Sequence, residues 1–316
     1  MNASPFIKWA GGKTQIIQNI INQFPVEIDN YYEPFLGGGS VLIEFLNKLE
    51  SNYIKINKKI YANDINKGLI ITYKIIKTNV NELINKLMEF KKNYDINTNI
   101  GDSETKQITP LPSLNENINK GRNYLYYYYR KKYNDLIQKL ITDTSQDITT
   151  DEYIEIAALF IFLNKTGFRG LYRESNYKFN VPFGNYKNPS IFDKDNLLRL
   201  NNLFNKYNVK FKNKSFIDLK YKPKSFIYMD PPYYPEKDNS FVSYTSNGFD
   251  INDNKKLLEL VDKLNSDQCQ VMMSNSKTEW ILENYKKYQI NIISCKRSIN
   301  SKNPDATTDE VIIKNY

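Results

Sequence analysis

The sequence predicts an α/β protein in which a mainly parallel sheet, covered on both faces, is interrupted by a helical insertion. Three observations carry this expectation. Short apolar runs recur at Tyr31–Phe35, Lys59–Ala62, Val209–Phe211, Ser225–Met229, Gln270–Ser274, Gln289–Ser294 and Glu310–Tyr316. Helical periodicities separate the earlier runs, as crossovers between parallel strands require. From about Asn79 the pattern changes to amphipathic helices. The expected organisation is one sheet-bearing domain from residues 1–80 and 190–316, and a helical domain over residues 81–189.

Each element has its own local reason. The strand Tyr31–Phe35 runs into Gly37-Gly38-Gly39, which reads as a tight turn, and Ser40–Leu49 then reads as a helix capped by Ser40. Val41, Leu42, Phe45, Leu46 and Leu49 recur at helical spacing, so one face packs on the sheet. The strand Lys59–Ala62 ends at Asn63-Asp64, and the next helix carries Leu69, Ile70, Tyr73 and Ile76. In the insertion, helices are expected over Tyr124–Lys139 and Tyr153–Asn164. The polar stretch Asn93–Lys120, with its Thr109-Pro110-Leu111-Pro112 segment, reads as a flexible surface loop. Tyr126–Tyr129 followed by Arg130, Lys131 and Lys132 reads as a helix core beside a solvated basic face rather than a base-stacking patch. A further helix follows Phe192.

Composition narrows the chemistry. The 316 residues are 41% hydrophobic and 25% charged, the balance of a soluble globular chain with no run long enough to span a membrane. The start carries no leader pattern, so an intracellular protein is expected. Cys269 and Cys295 fall in apparent strands and are expected as buried free thiols. Histidine is absent, which excludes His-based acid–base catalysis, Ser-His and Cys-His nucleophiles and nearly all zinc sites. Catalysis must rest on carboxylates, Lys, Tyr, backbone groups or a cofactor. A net charge of +9 favours a polyanionic partner, with nucleic acid the natural candidate.

Three motifs carry chemistry. Met229-Asp230-Pro231-Pro232-Tyr233-Tyr234 follows the apolar Phe226-Ile227-Tyr228, so an acid, two rigid prolines and an aromatic stand at a strand end. That set can hold a planar amine. Glu33-Pro34-Phe35-Leu36-Gly37-Gly38-Gly39-Ser40 lets the backbone approach a ligand beyond the carboxyl end of a strand, and Asp64 ends the next strand, where it can accept from ribose hydroxyls. A nucleoside-bearing cofactor fits both. Lys8-Trp9-Ala10-Gly11-Gly12-Lys13-Thr14 contains Gly-Lys-Thr but has Ile7 where a phosphate loop needs glycine, and no strand precedes it. Trp9 and Lys13 then read as a stacking wall and a cation for a carboxylate-bearing ligand.

The order of these motifs resembles the Dam family of DNA adenine-N6 methyltransferases. The resemblance rests on Phe6-Ile7-Lys8-Trp9-Ala10-Gly11-Gly12-Lys13, Glu33-Pro34-Phe35, Asn63-Asp64-Ile65-Asn66 and Asp230-Pro231-Pro232-Tyr233. It extends to Phe162–Arg173, to Phe179–Gly184, and to Arg297-Ser298-Ile299 followed by Asp309-Glu310-Val311. It covers nearly the whole chain.

The resemblance implies a Rossmann-like sheet that binds S-adenosylmethionine, a mainly helical target-recognition insertion, and methylation of N6 of a flipped adenine in duplex DNA, with GATC as the preferred site. Trp9, Lys13, Phe35, Gly37, Gly39, Asp64 and Asp230 would serve the cofactor. Asp230 and the Pro231 carbonyl would accept from the adenine amino group, with Pro232 and Tyr233 completing the pocket and Tyr233 stacking on the base. Arg173 would contact guanine, Leu171 and Pro182 would contact bases by shape, Phe168 would wedge into the stack, and Lys8 and Arg169 would contact DNA. A restriction endonuclease acting on the same site is an expected partner.

The chain departs from the family pattern in the polar extension at Asn93–Lys120 and at Arg169, where many relatives carry Asn. Alternatives are an N4-cytosine or RNA amino-methyltransferase, an inactive DNA-binding module of the same fold, or a protein-glutamine methyltransferase. A cytosine-C5 enzyme is disfavoured, because neither cysteine sits in a Pro-Cys loop.

Overall fold

The computed structural model describes residues 2–99, 108–142, 149–234, 249–296 and 307–316. Its strands are β1 (Glu27–Ile28), β2 (Tyr31–Glu33), β3 (Lys55–Ile56), β4 (Ile60–Asn63), β5 (Glu174–Ser175), β6 (Lys178–Phe179), β7 (Lys210–Lys212), β8 (Phe226–Met229), β9 (Gln270–Ser276), β10 (Gln289–Lys296) and β11 (Thr307–Lys314). Its α-helices are α1 (Ile17–Ile21), α2 (Ser40–Glu50), α3 (Lys67–Thr78), α4 (Val80–Ile96), α5 (Leu114–Lys120), α6 (Arg122–Thr142), α7 (Thr150–Thr166), α8 (Lys194–Lys206), α9 (Ile251–Ser266) and α10 (Glu279–Asn284). They form two compact units. One contains the described residues up to Gly12 and Asn66–Lys206, and the other contains Lys13–Ile65 and most of the chain after Lys206.

The sheet unit is built on seven strands in the order β10-β11-β9-β8-β2-β4-β7. Pairs β7/β4, β4/β2, β2/β8 and β8/β9 are parallel, whereas β11 runs antiparallel to both its neighbours. The chain thus winds outward from β2 through β4 to β7, then returns to the other side of β2 with β8 and β9. The reversal lies between β2 and β8, and ligands of open α/β sheets bind beyond the carboxyl ends of strands at such a reversal.

Both faces of this sheet are apolar, as the near-continuous hydrophobic runs require. On one face Ile227, Met229, Val271, Met273, Val311 and Ile313 pack with Leu257, Val261 and Leu264 of α9 and with Ile281 and Tyr285 in and just after α10. On the other, Phe24 and Phe45 pack on Tyr31 and Phe226, with ring centroids 4.4–6.0 Å apart. Cys269 is a buried free thiol, while the side chain of Cys295 lies outside the described residues.

The helical unit is organised around α7. Its residues Ile156–Leu163 are apolar on every side and all buried, so α7 takes the centre of the bundle. Thr149 and Glu152 close a capping box at its start. Tyr126, Tyr127 and Tyr129 of α6 are buried, and Phe90 and Phe162 meet the Tyr129 ring at 4.4 and 5.1 Å. The tyrosine cluster is therefore core, as its spacing predicts.

Two local expectations change. Ser40 does not cap α2: Gly39, at φ 69°, is the cap residue, a conformation that glycine adopts without strain, and Ser40 is the first helical residue. Its hydroxyl instead accepts from the Lys13 N–H at 3.2 Å. The stretch Asn93–Lys120 is helical at both ends, because α4 continues to Ile96 and Ser113 opens α5 with a capping box to Glu116.

Candidate active site

Asp230 follows β8 and stands at the sheet's reversal. Its Oδ2 accepts from the Lys13 ammonium at 2.7 Å, and Lys13 is only 3% exposed. Its Oδ1 is buried and has no hydrogen-bond partner among the described residues. An unmatched buried acceptor is costly, and a ligand bringing a donor relieves that cost. Burial pushes the Asp230 carboxyl up to about 6, with the Lys13 charge opposing that rise and Glu310 adding to it. Pro231 is buried and Pro232 partly so.

Tyr233 points its hydroxyl at Glu310 Oε2, 2.7 Å away, and the Lys13 ammonium lies 4.7 Å from its ring centroid. The backbone beyond it is pinned: Tyr234 N–H donates to Asn275 Oδ1 at 3.1 Å and the Tyr234 carbonyl accepts from Ser276 Oγ at 2.6 Å. The Tyr234 ring lies flat on Trp280 at 4.9 Å.

The glycine turn lies beside this centre, after β2. Gly37 N–H donates to Asp64 Oδ2 at 2.9 Å, Leu36 N–H to the Asn63 carbonyl at 2.8 Å, and the Asn63 amide reaches the carbonyls of Pro34 and Lys214. Asp64 and the turn are therefore held as one piece. Phe35 packs on Phe216 at 5.2 Å. Beneath the turn Glu33 is fully buried, accepts from the Tyr31 hydroxyl at 2.6 Å, and has its carboxyl pushed up to about 8 by burial, with Asp230 and Asp64 adding to the rise. Near neutral pH it is largely protonated. The sheet unit thus gathers Lys13, Phe35, Gly37, Gly39, Asp64, Asp230 and Tyr233.

The remaining sequence-derived residues belong to the helical unit. Phe168–Gly170 forms a 3-10 turn after α7, with Phe168 43% exposed and Arg169 exposed at φ 57°. Asn164 at the end of α7 holds this turn to the N-terminal segment: its Oδ1 accepts from Lys8 N–H at 2.9 Å, and its amide donates to the Lys8 and Gly170 carbonyls at 2.8 and 2.9 Å. Gly170 has φ 66°, and a Cβ there would come within 2.5 Å of Lys8 Cδ, so only glycine permits this approach.

Phe168 N–H donates to the Pro182 carbonyl at 2.9 Å, and Tyr126 and Arg130 both donate to the neighbouring Val181 carbonyl. Arg173 is exposed, with Nε on Asn180 Oδ1 at 2.7 Å across the β5–β6 hairpin, and Leu171 is partly exposed. Lys8, Phe168, Arg169, Leu171, Arg173 and Pro182 therefore share one hydrogen-bonded scaffold. The Trp9 ring stacks on Tyr172 at 5.4 Å and on Phe160 at 6.4 Å. Arg297, Ser298 and Ile299 lie outside the described residues.

The tasks of Asn164, Asn275, Ser276 and Glu310 are not among those the sequence motifs assign. One signal was available: an amide near the end of an otherwise apolar helix must find buried partners.

An acid, two prolines and a tyrosine thus follow the strand at which the sheet order reverses. The sequence model of the D12 class of N6 adenine-specific DNA methyltransferases matches residues 9–299, and the chain belongs to that family. It is 35% identical to the type II methyltransferase M.MjaIII of Methanocaldococcus jannaschii, over the full length of both chains. Identity is 30% to the type II methyltransferase M1.LlaDCHI of Lactococcus lactis, covering all of this chain and 96% of that one. It is also 30% identical to the DNA adenine methylase of Escherichia coli K12, covering 94% of this chain and 89% of the relative. The protein is accordingly an enzyme that methylates adenine N6 in DNA in a site-specific manner.

Proposed function

We propose that the methyl donor is S-adenosylmethionine, that the target is the adenine of duplex GATC, and that this adenine is swung out of the helix to reach Asp230. The observation that carries the reading is the Asp230 carboxylate, with one oxygen paired to Lys13 and the other buried and unmatched among the described residues, in front of a rigid Pro-Pro-Tyr turn.

The residues present suit such a donor. Gly37 and Gly39 leave bare backbone after β2, and Asp64, fixed by Gly37 N–H, offers a carboxylate to hydroxyl groups. Phe35 gives this side an apolar border. When bound, the cofactor supplies an electrophilic methyl group on sulfur. The protein's own work is aiming and electrostatics. Asp230 and the Pro231 carbonyl accept from the amino hydrogens and fix the nitrogen lone pair in one direction, and the aspartate charge offsets positive charge growing on that nitrogen. Tyr233 stacks on the base, and the two prolines keep the backbone from following it.

In the helical unit, Arg173 reads guanine through O6 and N7, Leu171 and Pro182 test shape, and Phe168 fills the gap left in the stack, offsetting an unstacking cost of about a few kcal/mol. Lys8 and Arg169 contact DNA. Two relatives bear type II methyltransferase names, and on that basis we propose a partner endonuclease cutting the same sequence. The test is protection of GATC duplexes from a methylation-sensitive nuclease with and without S-adenosylmethionine, with the methyl group located by mass spectrometry. Cofactor-dependent protection with N6-methyladenine supports the reading. Methyl label on adenine outside GATC rejects the site, and label on cytosine N4 rejects the base.

A further inference from the structure

We propose that Glu310 is a positioning residue of this enzyme: it holds the Tyr233 phenol and so sets the angle of the ring on which the target base stacks. The proposal rests on the assignment of Tyr233 to the base and adds the group that aims it.

Few torsions are left free at Tyr233. Pro232 restricts the backbone before it. After it, Asn275 and Ser276 together hold both polar groups of the Tyr234 backbone, and the Tyr234 ring is stacked on Trp280. The main chain on either side is therefore fixed, and only the Tyr233 side-chain rotations remain. An aromatic χ2 is a broad, soft torsion. By accepting the phenol proton at 2.7 Å, Glu310 fixes where the far end of the ring axis lies. Because a phenol O–H prefers the plane of its ring, the direction of that acceptor also biases χ2. Burial pushes the Tyr233 phenol well above its ordinary value, so it remains a donor throughout the working pH range.

The sheet register explains why one tether serves both purposes. Glu310 on β11 lies directly opposite Ser276 on β9. One residue of this cross-strand pair ties the backbone of the turn, and the other ties the ring. Val311, the next residue, is buried in the sheet core, so the strand that carries Glu310 cannot shift without disturbing that core.

A structural hydrogen bond and a positioning one differ in what they move. Steady-state methylation is measured for wild type, E310A, E310Q, Y233F and Y233F/E310A, with duplex affinity measured separately. E310A is expected to lower kcat about ten- to a hundredfold, with cofactor KM and duplex Kd within about twofold, the range for loss of a hydrogen bond to a charged acceptor felt only during reaction. E310Q keeps an oxygen that can accept and is expected within about threefold of wild type. Y233F should match E310A, and the double variant should be no slower than either single one, because both remove the same bond.

The proposal is overturned by wild-type kcat in E310A or Y233F, by E310Q falling as low as E310A, or by multiplicative losses in the double variant. If E310A does not fold, Y233F alone decides, since it cuts the same bond from the other end. Y233A separates the two levels of inference. Full activity in Y233A removes the stacking assignment and the proposal with it, whereas an inactive Y233A beside fully active E310A and Y233F removes the proposal alone.

Discussion

The turn proposed to be catalytic and the segment proposed to meet DNA present their side chains in opposite ways. Around Asp230 and Tyr233 the side chains themselves are fixed, by Lys13 and Glu310. Around Phe168, Arg169 and Arg173, proposed to meet DNA, the backbone is fixed by Asn164, Tyr126 and Arg130, while the side chains stand exposed, that of Arg173 held only at Nε by Asn180 on the same hairpin. Aiming a nitrogen lone pair demands groups already in place, because reorganisation at the moment of reaction adds to the barrier. Reading a groove tolerates side chains that settle on contact, provided their Cα positions hold.

The largest expected effect comes from Asp230→Ala, which should lower kcat by about a thousandfold or more while the variant still binds the duplex in a gel-shift assay. Equal loss of binding and turnover would erase the distinction between the two regions. In the wild type, the acid limb of kcat/KM, which reports the free enzyme, should lie near the Asp230 value of about 6, with activity lost as pH falls through it, because the protonated acid no longer offsets charge.

Asn164→Ala attacks the other region. It strands the Lys8 N–H and the Lys8 and Gly170 carbonyls, at an expected cost of about 2–4 kcal/mol, measured by chemical denaturation. Limited proteolysis should then cut near Gly170 well before β8.

Arg173→Ala sharpens the comparison by leaving both scaffolds intact. It should cost about 1–3 kcal/mol of discrimination at one base pair, seen in a panel of single-substituted duplexes, with kcat on the best duplex nearly unchanged.

The most gradual effect, spread over several pH units, concerns Glu33. Its carboxyl is raised in the fold from 4.5 to about 8, so the folded state binds more protons than the unfolded chain between those values. Stability from this group is therefore complete below 4.5 and is lost as pH rises toward 8, by at most about 1.4 kcal/mol per pH unit. Glu33→Gln should flatten that slope in denaturant titrations at a series of pH values, and an unchanged slope would place the proton elsewhere.

What the sequence disclosed follows the same division. Strand ends carrying Asp64 and Asp230, and the apolar period of α2, are local patterns, and local patterns can be read directly. The tyrosine cluster of α6 was legible because three of its members recur on one helical face. The capping of α2 was misread because Ser40 is a good cap by type, yet Gly39 reaches a left-handed conformation that Ser would resist, and the hydroxyl finds Lys13 N–H instead. The helical ends of Asn93–Lys120 were hidden because polar residues outweighed a real capping box at Ser113. The tasks of Asn164, Asn275 and Glu310 were illegible for another reason: their partners lie up to 156 residues away, and no spacing rule spans such a distance.

The Asn164 amide joins residue 8 to residue 170, two stretches that any exchange of parts would treat as separate. Anyone transplanting the Phe168–Pro182 stretch into a cousin, to test whether it carries the target as proposed, would have to move the opening residues and the tail of α7 along with it. Moved alone, the graft would arrive without the knot that keeps its shape.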